Sequence, residues 1–191
     1  FLIRPLENNN LLVFPRSNCL IFSGENRCVN YAQNGGNMRR KDREMDETFA
    51  LEVVDKCEYA VLSMVDTEGK AYGIPVTIVR DGMAVYFHCA KEGKKIDALR
   101  KNPEVSIACV GDTCRALDKF TTAFESAVIF GRAGEVTDVK EKIHALRLLC
   151  ERHTPTNMAN FDEAIQRSLS VTAIWKIEIL SLTGKQKKLK K

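Results

Sequence analysis

The sequence has no apolar run long enough to cross a bilayer as a helix, and no Cys-x-x-Cys spacing among its seven cysteines. The first absence argues against a membrane partner. The second, with only three histidines available, argues against a structural zinc site, so no metal is expected. The cysteine count is odd and several thiols sit inside apolar runs, where a free Cys behaves as a small hydrophobe, so a reducing, cytoplasmic location is expected. Neither Gly-x-Gly-x-x-Gly nor Gly-x-x-x-x-Gly-Lys-Ser/Thr occurs, and no βαβ alternation appears, which disfavours a Rossmann or P-loop nucleotide site. Charge of one sign is also scarce: the net charge is +4, and the basic residues cluster only at Lys185, Lys187, Lys188, Lys190 and Lys191. No basic stripe interleaved with aromatics accompanies that tail. It reads as a solvated solubility feature, and no nucleic-acid partner is expected.

What is present suits one domain with a core, since 45% of the 191 residues are hydrophobic. Residues 1–37 differ from the rest, being rich in asparagine, interrupted by Pro15 and Arg16, and ending in Gly35-Gly36-Asn37 before Met38. They are expected to be an upstream extension without catalytic function. Residues 38–191 then form the folded domain and its basic tail.

From Met38 the punctuation is regular. Asp46 is placed to cap a helix carrying Phe49, Ala50, Val53, Val54 and Cys57 at helical spacing. Apolar or alternating runs at 59–65, 72–80, 83–89, 105–110, 124–136 and 171–179 predict strands. Asp81-Gly82 predicts a hairpin with a type I′ turn, which needs positive φ at both residues. A short helix is predicted over 94–101, stopped by Asn102-Pro103. Asp138 with Glu141 resembles a capping box opening a helix that ends before Thr154-Pro155. Another helix is predicted around Met158, Phe161, Ile165 and Leu169. Antiparallel strands must hide their edges, so about six of them with peripheral helices predict a mainly β, α+β fold built as a closed or split barrel.

The chemistry concentrates in Phe87-His88-Cys89-Ala90-Lys91-Glu92-Gly93-Lys94-Lys95, where a strand gives way to a helix. Helix N-termini carry partial positive charge and unpaired N–H groups, so Lys91, Lys94 and Lys95 are locally unfavourable there unless an anion is bound. A phosphate held by the helix and the lysines is one reading; solvated surface lysines are the other. Pro75, in Gly73-Ile74-Pro75-Val76-Thr77, removes a ladder donor and marks either an edge strand or the wall of a ligand site. The hairpin would carry Ile74, Pro75, Val76 and Thr77 beside the lysines, where a flat ring has backbone to lie against. His88 is a proton donor, a ligand or a packing residue. Trp175 reads as core or subunit interface.

These segments, with Met38-Arg39-Arg40-Lys41-Asp42-Arg43, Val110-Gly111-Asp112, Lys119-Phe120-Thr121-Thr122, Glu125-Ser126, Phe130-Gly131-Arg132-Ala133 and Thr183-Gly184-Lys185, occur in one order along nearly all of the chain after residue 37. In this the sequence resembles the Nim nitroimidazole-resistance proteins of the pyridoxamine 5′-phosphate oxidase-like superfamily. The resemblance implies a six-stranded antiparallel Greek-key split β-barrel of the FMN-binding type, assembled as a homodimer with FMN in a cleft between subunits. It implies that Lys94 and Lys95 meet the phosphate, with Lys91 nearby, and that Ile74, Pro75, Val76 and Thr77 line the isoalloxazine. His88 and Cys89 would approach the cofactor, Ser126 would contact the ring, and His88 would be catalytic. The implied activity is an FMN-dependent oxidoreductase taking electrons from a reduced nicotinamide and reducing a small acceptor such as a nitroaromatic. The Arg-x-His element and Trp-Arg ending of true pyridoxamine 5′-phosphate oxidases are missing, so vitamin B6 oxidation is not expected. The rival class is a non-catalytic flavin- or haem-binding protein of the same fold, with a deazaflavin enzyme as a third reading.

Overall fold

The computed structural model describes residues 38–189, so the expectation for residues 1–37 lies outside the described residues. A two-residue strand β1 (Glu44–Met45) leads into α1 (Glu47–Lys56), which starts where Asp46 accepts a hydrogen bond from the Phe49 N–H. Ala50, Val53 and Val54 bury one stripe of α1 against the sheet. The next strands are β2 (Ala60–Val65), β3 (Ala71–Val76), β4 (Val79–Asp81) and β5 (Ala84–Ala90). Helix α2 (Lys94–Lys101) precedes the long strands β6 (Glu104–Ala116) and β7 (Thr121–Glu135); α3 (Val139–His153), a 3-10 turn, α4 (Phe161–Ser168) and β8 (Thr172–Lys187) complete the domain.

All strand pairs are antiparallel, in the order β3-β2-β6-β7-β8-β5-β4, with β1 added on β8. Among the described residues the fold is thus mainly β with four α-helices, as the sequence predicts, but the sheet has eight strands rather than six. The run predicted over 72–80 is broken at Thr77 and Ile78 into β3 and β4, and β1 is too short for a periodic signal. No ladder joins β3 to β4, the two ends of the path. Only Thr77 and Ile78 separate them, and three peptide steps reach at most about 11 Å. The sheet therefore curls until its outer strands approach each other with an open seam between.

Two clusters fill the two sides of β5. Val85 and Phe87 face the main core, with Leu62, Ile107, Ile129 and Trp175, while Ala84 and Tyr86 face a smaller cluster under α3 with Ala145, Leu149 and Ile174. The hairpin between β4 and β5 forms, but its register pairs Asp81 with Ala84, so the turn residues are Gly82 and Met83. Gly82 has φ +59°, and no described non-glycine residue has positive φ. Asp81 is therefore a ladder residue and the predicted type I′ turn does not occur. Asp138 accepts from the Glu141 N–H as expected. The Glu141 carboxylate does not return to the cap; it accepts from Tyr86 Oη at 2.9 Å and from Lys176 Nζ at 3.2 Å, fastening α3 to β5 and β8.

Candidate functional site at the seam

Helix α2 packs on β2 and β7, and the two lysines of its first turn reach toward the open seam. Lys94 Nζ is 4.8 Å from the centroid of the Tyr72 ring on β3, and Lys95 Nζ is 5.3 Å from that of Phe87 on β5. Two successive side chains thus reach β3, at one end of the path, and the part of β5 beyond Tyr86, which β4 does not pair. The amphipathic spacing of Ile96, Ala98 and Leu99 explains why the helix docks, since all three are buried.

Its N-terminus is open. Among the described residues no side chain caps α2; the Ile96 and Asp97 N–H groups donate to the Gly93 carbonyl, which leaves those of Lys94 and Lys95 without an acceptor. Gly93, at the N-cap, has φ +125°, and a Cβ placed on it would meet nothing within 4 Å. Free donors, the positive end of the helix and open space suit an anion. The three lysines are not equivalent, however. Lys94 Nζ pairs with Asp66 Oδ2 at 3.0 Å, which raises the lysine pKa, first through the hydrogen bond and then through the charge. The other carboxylate oxygen, Asp66 Oδ1, accepts from the Glu68 and Lys70 N–H groups at 2.9 and 2.8 Å. Those backbone donors, Lys70 foremost, and then Lys94 lower the Asp66 pKa. Lys94 is therefore neutralised in place, whereas Lys91 and Lys95 enter no ion pair among the described residues. The residues present fit a phosphate-bearing cofactor, with Lys95 rather than Lys94 as the uncommitted cation.

His88 and Cys89 are adjacent but point to opposite faces of β5. Cys89 follows Val85 and Phe87 toward the main core, where Ile74 and Val76 also pack. His88 follows Tyr86 to the α3 side and remains solvent-accessible. Its pKa is lowered, mainly by desolvation from the protein packed around it, then by the charges of Lys95 and His153. Of the three histidines, His144 Nε2 lies 2.8 Å from Asp81 Oδ2 and His153 Nε2 lies 2.9 Å from the Ile78 carbonyl oxygen; His88 has no hydrogen-bond partner among the described residues.

Of the predicted ring wall, Ile74 and Val76 turn inward, Pro75 faces out, and Thr77 is exposed in the linker to β4. Among the described residues β3 pairs only with β2, so Pro75 occupies an edge strand and costs the sheet no ladder bond on its free side. Ser126 is not brought to this seam within the protomer. It pairs with Val110 on β6 and Lys185 on β8, and its strand β7 is the middle one of the path, three strands from either end. It belongs to another feature, the outer face of β2, β6 and β7, where Tyr59, Val61 and Val110 are exposed around a cavity of about 440 Å³.

Two seam residues escape sequence reasoning: Asp66, the one buried charged residue among those described, and Tyr72. The signal for Asp66 is the Asp-x-x-Gly turn ending at Gly69, whose φ is +83°. Nothing local signals its pairing with Lys94. Among the described residues no group of His, Cys, Asp and Glu is placed to hold a metal, and no helix is long and apolar enough to cross a membrane.

An antiparallel curled sheet with an open seam reached by the lysines of an uncapped helix defines a class, and comparison with known families places the chain in it. The pyridoxamine 5′-phosphate oxidase family model matches residues 46–186, so the chain belongs to that family. Among solved structures it is similar to a proposed 5-nitroimidazole antibiotic resistance protein from Bacteroides thetaiotaomicron, at 23% identity and TM-score 0.64, over 75% of this chain and 86% of that one. It is similar also to an FAD and haem binding protein from Mycobacterium smegmatis, at 17% identity and TM-score 0.66, covering 77% and 74% of the two chains. A flavocytochrome from Azotobacter vinelandii matches at 18% identity and TM-score 0.64, covering 83% and 76%. No curated protein matches the sequence.

Proposed function

We propose that the chain is an FMN-dependent oxidoreductase that carries electrons from a reduced nicotinamide to a small acceptor such as a nitroimidazole. The observation that carries this reading is the uncapped N-terminus of α2 set toward the seam, with Lys95 and Lys91 beside it. Relatives of the same fold that bind FAD, or FAD and haem, and the nitroimidazole-resistance relative support it. The open sheet, with consecutive strands at its two ends, is read as a split barrel. The exposed apolar face around Tyr59, Val61 and Val110 supports a homodimer in which Ser126 serves a site between subunits. The unpaired thiols Cys57, Cys89, Cys109, Cys114 and Cys150 suit a reducing cytoplasm.

FMN, when bound, would supply the two-electron redox chemistry between the nicotinamide and the acceptor. The chain's residues bind and orient. The Lys94 and Lys95 N–H groups and the Lys95 ammonium would hold the phosphate, and the Asp66–Lys94 pair ties the helix start to the turn after β2. Pro75 and the adjoining β3 backbone give a flat ring a surface without a protruding N–H donor. His88 would pass a proton to the oxygen leaving the acceptor. Its lowered pKa keeps it mostly neutral at pH 7, so that step should quicken as the pH falls.

Titration of the purified protein with FMN, followed by flavin fluorescence and visible absorption, tests the reading. Saturable quenching with shifted flavin bands is the expected result. A Soret band with no flavin uptake would replace FMN by haem, with His88 the accessible imidazole for an axial ligand.

A further inference from the structure

The far end of the molecule carries a surface the flavin reading does not use. β6 and β7 run on past β8 as a two-stranded arm, Cys114 to Ala116 pairing with Ala123 to Thr121. The turn at its tip exposes Leu117 at 93% and Phe120 at 113%, the highest values among the exposed large apolar residues described. At the base of the tip lies a groove of about 460 Å³ lined by Arg40, Arg43, Lys119, Lys187 and Lys188, with Asp42 the one carboxylate. Asp42 is already engaged by Arg40 at 2.5 Å. Two sequence features that looked unrelated, the basic run after Met38 and the lysine-rich end of the chain, thus meet beside the apolar tip.

We propose that this end is a peripheral docking surface for an anionic lipid membrane, with Leu117 and Phe120 entering the headgroup boundary and the groove cations facing acidic headgroups. Charge complementarity and the paired apolar residues argue for that occupant. Cations alone would suit any polyanion, but two apolar side chains extended beyond the last ladder pair gain most from an apolar layer. A second copy of the chain is a poor occupant of the tip by itself, because two side chains fall well short of the roughly 800 Å² per partner that a stable interface buries. The contact is superficial and adds no membrane span.

Cosedimentation of the purified protein with phosphatidylcholine vesicles, and with vesicles also containing phosphatidylserine, tests it. Binding to the second alone, weakened at least tenfold by high salt, is the expected result. Leu117→Ser with Phe120→Ser, and separately Lys119→Glu with Lys188→Glu, should each lower that binding about tenfold or more while FMN uptake stays unchanged. These positions are exposed, and an unaltered circular dichroism spectrum verifies folding. No sedimentation with acidic vesicles, or equal sedimentation with neutral ones, overturns the proposal. So does retained binding in the tip double variant together with competition by a single-stranded oligonucleotide, which would make the groove a nucleic-acid contact. Protection of the tip in a dimer, seen as lost dimerisation in the same variant, also overturns it.

Discussion

The β6-β7-β8 ladder and the α2 seam are built from opposite materials. The ladder consists of strands of 13, 15 and 16 residues, paired nearly throughout and burying Ile107, Ile129 and Ile177 completely. The seam is made of strands of three to seven residues, of edges that no ladder joins, and of charged groups held in pairs. Regularity in the first region leaves few uncommitted groups and hence little chemistry. Irregularity in the second leaves free N–H donors, an uncommitted lysine and an accessible imidazole, as expected where binding is placed on a rigid scaffold.

The comparison breaks most visibly if a seam side chain proves dispensable. His88→Ala should slow flavin reoxidation by a nitroimidazole about 100- to 10,000-fold while FMN affinity stays nearly constant; stopped-flow traces that superimpose on wild type would remove His88 from the chemistry. Next in size is a change inside the ladder. A Cβ on Gly131, at the β7–β8 irregularity, would lie 2.5 Å from the Glu178 carbonyl oxygen and 2.6 Å from Ile177 Cγ2. Gly131→Val should cost about 3 kcal/mol in denaturant unfolding, and an unchanged midpoint would mean that the ladder yields more easily than its packing implies. At the seam, Lys95→Ala should weaken FMN about tenfold or more and leave riboflavin unaffected, because only FMN has the phosphate. Lys94→Ala should weaken FMN less, and a reversed ranking would show that Asp66 releases its lysine on binding. Asp46→Ala removes the α1 cap and should cost about 1 kcal/mol, measurable by the same unfolding curves.

The smallest expected effect is one of pH. His88 has a lower pKa folded than unfolded, so the unfolded chain takes up the proton first. Its penalty on stability sets in as the pH falls through about 6.5 and is complete below the folded pKa. His88→Gln should flatten that part of the stability profile. An identical slope in wild type and variant would assign the dependence elsewhere.

What the sequence discloses follows the same division. Caps and helix periods are local, so Asp46, Asp138 and the bounds of α2 are legible from a few residues. Strands are legible only where one face is apolar. β6 continues from Val110 through Gly111, Asp112 and Thr113 with no hydrophobic alternation to announce it, and β8 continues past Ile179, where Leu180 and Leu182 alternate with Ser181 and Thr183 but in a phase shifted by the irregularity opposite Phe130 and Gly131. There the neighbouring strand supplies the order through backbone hydrogen bonds. The hairpin after β4 is legible in kind but displaced by one residue, because the ladder retains Asp81 and leaves Gly82 with the positive φ. At the site, the cluster of Lys91, Lys94, Lys95 and His88 is contiguous and visible. The commitment of Lys94 to Asp66, and the distance of Ser126 from the seam, depend on contacts between segments remote in sequence.

The free margin of β3 has a consequence for how the molecules behave in a crowd. An unpaired strand edge is a template on which another chain can polymerise by adding its own strand. Pro75 sits in that edge and has no N–H, so any strand arriving there meets a gap in the row of donors. The same residue that offers a ring a bare surface thereby acts as a gatekeeper against fibre growth, and a valine in its place would restore β-propensity and donor together.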